Sequence, residues 1–105
     1  MNKYERVITE LNETGYSQMK VFGNSMTPIL KSGSLMSYKK ELEYEIGQIV
    51  LCKVKGRFID AHLITKKDLN KGYLISNNHN RDNGWTKTIY GRVIKAEFGT
   101  EIKEF

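Results

Sequence analysis

One cysteine, one proline, one tryptophan and two histidines are all that this 105-residue chain carries of those residue types. A lone Cys52 closes no intramolecular disulfide and builds no thiolate metal site. Its setting, Ile49-Val50-Leu51-Cys52, reads as a small buried hydrophobe and not as a reactive thiol. His62 and His79 are too dispersed, from each other and from Cys52, to form a zinc pattern, so neither a metal nor another cofactor is expected. No apolar run approaches the ~20 residues of a membrane-spanning helix, and the N-terminus has no apolar signal segment. A cytoplasmic location without a membrane span is therefore expected. There is no internal repeat, low-complexity tract or linker, and the length suits one domain, 1–105, with a single modest core.

Charge has a sign but no focus. Seventeen Lys and Arg against twelve Asp and Glu give a net +5, and the pI is about 9.3. That balance favours phosphate or acidic partners in general. The lysines are scattered along the chain, from Lys3 to Lys103, no helix gathers them, and no basic-aromatic ladder of the RNA-binding kind appears. Specific nucleic-acid recognition is not expected.

What is present is one helical pattern followed by strands. Tyr4, Val7, Ile8 and Leu11 recur at i, i+3, i+4, i+7, which predicts an amphipathic helix over 3–13. Asn2 and Glu5 make a capping pair at its start, and Gly15 fits its end. After Gly15 the chain reads as strands over 17–22, 34–39, 48–55, 57–66, 73–76, 86–90 and 92–98. Lys55-Gly56 forms a tight hairpin turn, 77–84 a polar loop, and Gly91 a bend or bulge. The expected class is mainly β with one N-terminal helix, the β-rich core spanning 17–98.

Two stretches carry chemistry. Gly23-Asn24-Ser25-Met26-Thr27-Pro28-Ile29-Leu30 places a small hydroxyl between a Gly-Asn turn and the only proline. In the strand over 57–66, alternation puts Ile59, Ala61, Leu63 and Thr65 on a core face, and Phe58, Asp60, His62 and Ile64 on the other. A carboxylate and an imidazole in mid-strand need hydrogen-bonding partners if buried, or have a use. Serine becomes a useful nucleophile only when a neighbouring base takes its proton, and histidine does this near neutral pH. Spacing alone leaves Ser25 and His62 as a candidate dyad that the fold must bring together.

The serine stretch resembles the G-x-S-M-x-P box of the superfamily that joins LexA-type self-cleaving repressors and type I signal peptidases. Gly47-Gln48-Ile49-Val50 looks like its G-D-I-V strand start, and Tyr90-Gly91-Arg92-Val93-Ile94 resembles its closing G-[RK]-V strand. Ala61-His62-Leu63-Ile64 falls where members carry their general base, and Asn77 to Trp85 is similar to a stretch in small stand-alone phage and bacterial members. The resemblance covers roughly 21–97. It implies a β-clip-like fold of curved antiparallel sheets with a groove for an extended peptide or protein substrate. It also implies Ser25 as nucleophile, His62 as base, and Asn24 and Met26 beside the oxyanion and substrate groove. A homodimer through 91–98, and a bacterial or phage-infected host cell, are further implications.

Against the family pattern, Gly33-Ser34 and Gly47-Gln48 stand where Gly-Asp is usual, and Leu63 follows the histidine in place of arginine. Asp60 and Asp82 are the two candidates to orient His62. Only 24 residues precede Ser25, with no Ala-Gly or Cys-Gly pair among them, so repressor-type self-cleavage is not expected. The competing reading is a catalytically silent, phage- or mobile-element-encoded protein that uses the same groove to bind a host protein. The remaining expectations are structural: Met19, Met26 and Met36 in the core, Trp85 beside a turn, and His79 in a solvated loop.

Overall fold

The computed structural model describes residues 2–105. One helix, α1 (Lys3–Thr14), precedes eight strands: β1 (Tyr16–Val21), β2 (Ser34–Lys39), β3 (Ile49–Val54), β4 (Arg57–Asp68), β5 (Gly72–Ser76), β6 (Asp82–Thr86), β7 (Ile89–Phe98) and β8 (Glu101–Glu104). The Asn2 side chain accepts from the Glu5 backbone N–H at 2.9 Å, and Gly15 closes the helix in a left-handed conformation (φ 79°).

The strands form one antiparallel sheet in the order β1-β2-β7-β3-β4-β5-β6, with β8 paired to β7, curled into a half-barrel. The expected mainly β class with a single N-terminal helix matches this architecture. Lys55 (φ 51°) and Gly56 (φ 79°) make the two-residue turn that brings Arg57 opposite Val54.

Repeated register slips accompany the curl. Val50 pairs with His62 and Cys52 with Ile59, so Asp60 and Ala61 together face Leu51 as a β-bulge in β4. Ile75 pairs with Gly84 and Ser76 with Asp82, so Asn83 is the extra residue of a bulge in β6. Bulges bend a sheet and re-aim the side chains that follow them.

Both faces of β3 are buried. Ile49 and Leu51 join Val7, Leu11, Met19, Met36 and Tyr38 in a core beneath α1. Val50, Cys52 and Val54 join Tyr44, Ile64 and Ile75 in a second core on the opposite face. The expectation of one core face on β4 is corrected accordingly. Ala61 and Leu63 pack into the first core, whereas the bulge turns Ile59 to the second, which also holds Ile64 at 1% exposure.

Most expected bounds lie within two residues of the observed ones, and three departures are larger. The polar loop expected over 77–84 is shorter, because Asp82, Asn83 and Gly84 belong to the edge strand β6. An edge strand has a solvated side and tolerates a polar composition that reads as loop. Residues 86–90 and 92–98 do not form two strands, since β7 runs through Gly91, with a bulge beside it where Leu51 pairs with Gly91 and Cys52 with Ile89. A β-carbon at Gly91 would lie 3.2 Å from a Leu11 methyl, so the glycine there serves the close approach of α1. Beyond the expected end of the β core at 98, β8 folds back onto β7. Lys103 Nζ donates to the Ile29 carbonyl (2.9 Å) and Lys31 pairs with Glu101 (2.8 Å), so β8 pins the segment that follows Ser25.

Candidate active site

The segment between β1 and β2 runs as successive turns, with a cis peptide before Pro28, and buries Met26 and Leu30 in the core under α1. With its two apolar anchors inside, the intervening chain stays at the surface and leaves Ser25 half-buried. The turn's carbonyls are engaged. That of Asn24 accepts from Thr27 N–H (3.2 Å) and that of Ser25 from Asn78 N–H (3.0 Å). That of Met26 accepts from Leu30 N–H (2.9 Å), and that of Thr27 from the Asn78 side-chain amide (3.0 Å). Three of its N–H groups are not: those of Asn24, Ser25 and Met26 meet no acceptor among the described residues. N–H groups left free beside a hydroxyl are available to a negatively charged oxygen.

The imidazole comes from mid-β4. The bulge at Asp60-Ala61 sets His62 in step with Val50, and its ring stands half-buried against the serine turn. Ser25 Oγ lies 2.9 Å from His62 Nε2. On the other side of the ring, Nδ1 lies 2.6 Å from the Asn83 side-chain oxygen. Both are hydrogen-bond contacts by distance, the one to Asn83 a short one. An oriented imidazole lined up on a hydroxyl in this way can accept the hydroxyl proton as the oxygen attacks an electrophile.

Neither aspartate singled out from the sequence reaches the imidazole. Asp60 accepts from the Tyr4 hydroxyl (2.5 Å) and lies 4.0 Å from the Lys3 ammonium. The β4 bulge breaks the alternation that would have set Asp60 and His62 on one face. Asp82 accepts from the Ser76 hydroxyl (2.6 Å), and the β6 bulge at the next residue offers Asn83 to the ring in its place. Burial, then the hydrogen bond and negative charge of Asp60, push the Tyr4 phenol up to about 12.

Next to the pair opens a cleft of about 180 Å³. Met26, Leu30, Met36 and Ala61 give it apolar walls, and Asp60 contributes its one carboxylate. Its size suits about one side chain of an extended chain. Asn24 is exposed at the turn, and Met26 is 4% exposed and faces the cleft.

Sequence reasoning missed two contributors. Asn83 lay in the Asn77 to Trp85 stretch that the resemblance took in, and in an Asn-Gly step between two strand-like runs, but neither signal aimed it at His62. His79, expected in a solvated loop, is exposed but lies 3.2 Å from the Asn24 carbonyl through Nε2, which gives the serine turn a further support. Among the described residues no three His, Cys, Asp or Glu side chains converge as they would around a metal ion, and no helix is long and apolar enough to cross a membrane.

No curated protein matches the chain significantly. The family model described as Peptidase S24-like matches residues 3–94, which includes α1, the serine turn, the His62 strand, Asn83 and most of β7. The match takes in well over half of the chain, and with it the curled sheet that carries Ser25 and His62; the chain belongs to the peptidase S24-like family.

Proposed function

We propose that this protein is a serine peptidase that cleaves an extended segment of a peptide or protein, with Ser25 as nucleophile and His62 as general base. The observation that carries the reading is the 2.9 Å contact between Ser25 Oγ and His62 Nε2. In the first half-reaction Ser25 Oγ bonds to the scissile carbonyl carbon while its proton passes to Nε2. The negative charge on the former carbonyl oxygen is taken up by the unpaired N–H groups of Ser25 and Met26. The imidazolium then returns the proton to the leaving amine, the C–N bond breaks, and an acyl ester on Ser25 remains. A water attacks that ester by the same route, its proton going first to Nε2 and then back to Ser25 Oγ, which frees the acid product.

The cleft, apolar at Met26, Leu30, Met36 and Ala61 and charged at Asp60 and Lys31, would receive a side chain next to the scissile bond. Extended substrate would lie along the serine turn, as peptides do when added to a sheet edge.

An active-site-directed phosphonate tests the reading by intact-mass analysis. Wild-type protein should gain one adduct that maps to Ser25, and Ser25→Ala none. His62→Gln should slow the modification by about 100-fold or more, the usual worth of a positioned base. An unmodified Ser25 under conditions that label other serine peptidases would remove the peptidase reading and leave the silent binding protein in its place.

A further inference from the structure

We infer that Asn83 is a positioning residue for His62: its side-chain oxygen decides which ring nitrogen holds the proton. The inference rests on the roles proposed for Ser25 and His62.

A neutral imidazole has one N–H and one lone pair, and its hydrogen-bond partners choose between the two tautomers. An amide oxygen only accepts. The 2.6 Å contact between Asn83 Oδ1 and Nδ1 therefore requires the proton on Nδ1. Nε2 is left with its lone pair directed at Ser25 Oγ, 2.9 Å away. In the opposite tautomer an Nε2–H would meet the serine hydroxyl, and the ring could not take its proton.

The strand holds the amide in place from both sides. Asp82 accepts from the Ser76 hydroxyl just before it, and the Thr86 hydroxyl donates to the Lys53 carbonyl just after it, each at 2.6 Å. Gly84 has φ +132°, where a side chain is strained, and a β-carbon there would press on Val54 and Lys55 at 3.2 and 3.3 Å. The bulge at Asn83 thus depends on the glycine that follows it, and the amide is offered to the ring by backbone geometry. Because this third group is neutral, it orients the imidazole without supplying a countercharge to the imidazolium formed during proton transfer. Here the chain differs from the Ser-His-Asp arrangement, in which a carboxylate does both.

The test is nitrogen NMR of the full chain labelled at histidine, at a pH where the rings are neutral, with His79→Gln identifying the second histidine. Wild-type His62 should show a protonated Nδ1 and a bare Nε2, and Asn83→Leu should lose that preference. In parallel, Asn83→Leu should slow phosphonate modification of Ser25 by about tenfold or more. Asn83→Asp keeps an acceptor oxygen and should retain the tautomer and most of the rate. Should Asn83→Leu melt early, the smaller Asn83→Ala carries the same comparison. A wild-type ring protonated at Nε2, or a leucine variant with unchanged tautomer and rate, would overturn the inference. If Ser25 proves unreactive in the wild type, the peptidase reading fails, while the tautomer measurement still decides the role of Asn83.

Discussion

Cys52 and Ser25 show how placement governs two side chains that both have reactive potential. Cys52 is fully buried in the second core, and burial pushes its thiol up to about 12. The thiolate is the reactive form, so a colorimetric disulfide reagent at pH 8 should leave folded protein unmodified and titrate one thiol in denaturant. Rapid reaction of the native thiol would mean that the core opens easily. Ser25 is half-buried beside an imidazole and faces a cleft. Cys52 was legible from its apolar neighbours alone. Ser25 and His62 stood out through the motif around each, but their contact depends on where two strands lie in a curled sheet. The stretch around Asn83 stood out through the resemblance, but its contact with the imidazole was not legible, because that contact comes from a bulge and a register slip leaves no periodic trace.

Among the elements, α1 does more than cover a core. Tyr4 stacks on Phe58 with ring centres 4.4 Å apart, and its hydroxyl grips Asp60 at the β4 bulge, two residues before His62. Burial first, then the hydrogen bond and charge of Asp60, raise the Tyr4 phenol from 10.0 to about 12. Between these two values the unfolded chain has released the proton and the folded one has kept it. Stability from this group is therefore complete below about pH 10 and is lost as pH climbs toward 12. Tyr4→Phe should flatten that alkaline decline in denaturant melts. Some decline will persist, because burial and then Asp60 also raise the Tyr38 phenol. At neutral pH the same change should cost about 1–2 kcal/mol, the worth of a hydrogen bond to a charged group that is partly exposed. A slope equal to wild type would show that α1 does not hold the bulge. The helix was legible from its 3.6-residue period and cap, and the hairpin at Lys55-Gly56 from its turn chemistry. The edge strand β6 and the terminal β8 were not, since each has a polar or fully exposed sequence whose strand character comes from its neighbour.

At the scale of the whole molecule, the site is assembled from distant parts of the chain. Ser25 belongs to a connection between β1 and β2, His62 to the middle of β4, and Asn83 to the far edge of the sheet. Asn78 fastens the serine turn from a loop more than fifty positions further along the chain, through the carbonyls of Ser25 and Thr27. The consequence is cooperativity: the arrangement proposed to react exists only when distant parts of the chain are in place together, so labelling of Ser25 would become a gauge of global folding. Loss of phosphonate labelling and loss of tertiary structure should share one denaturant midpoint. Leu51→Ala, a cavity at a fully buried position opposite the β4 bulge, should cost about 2–5 kcal/mol and move both curves together. A labelling curve that falls well before the structural one would mean that the turn carrying Ser25 can detach from an otherwise intact sheet.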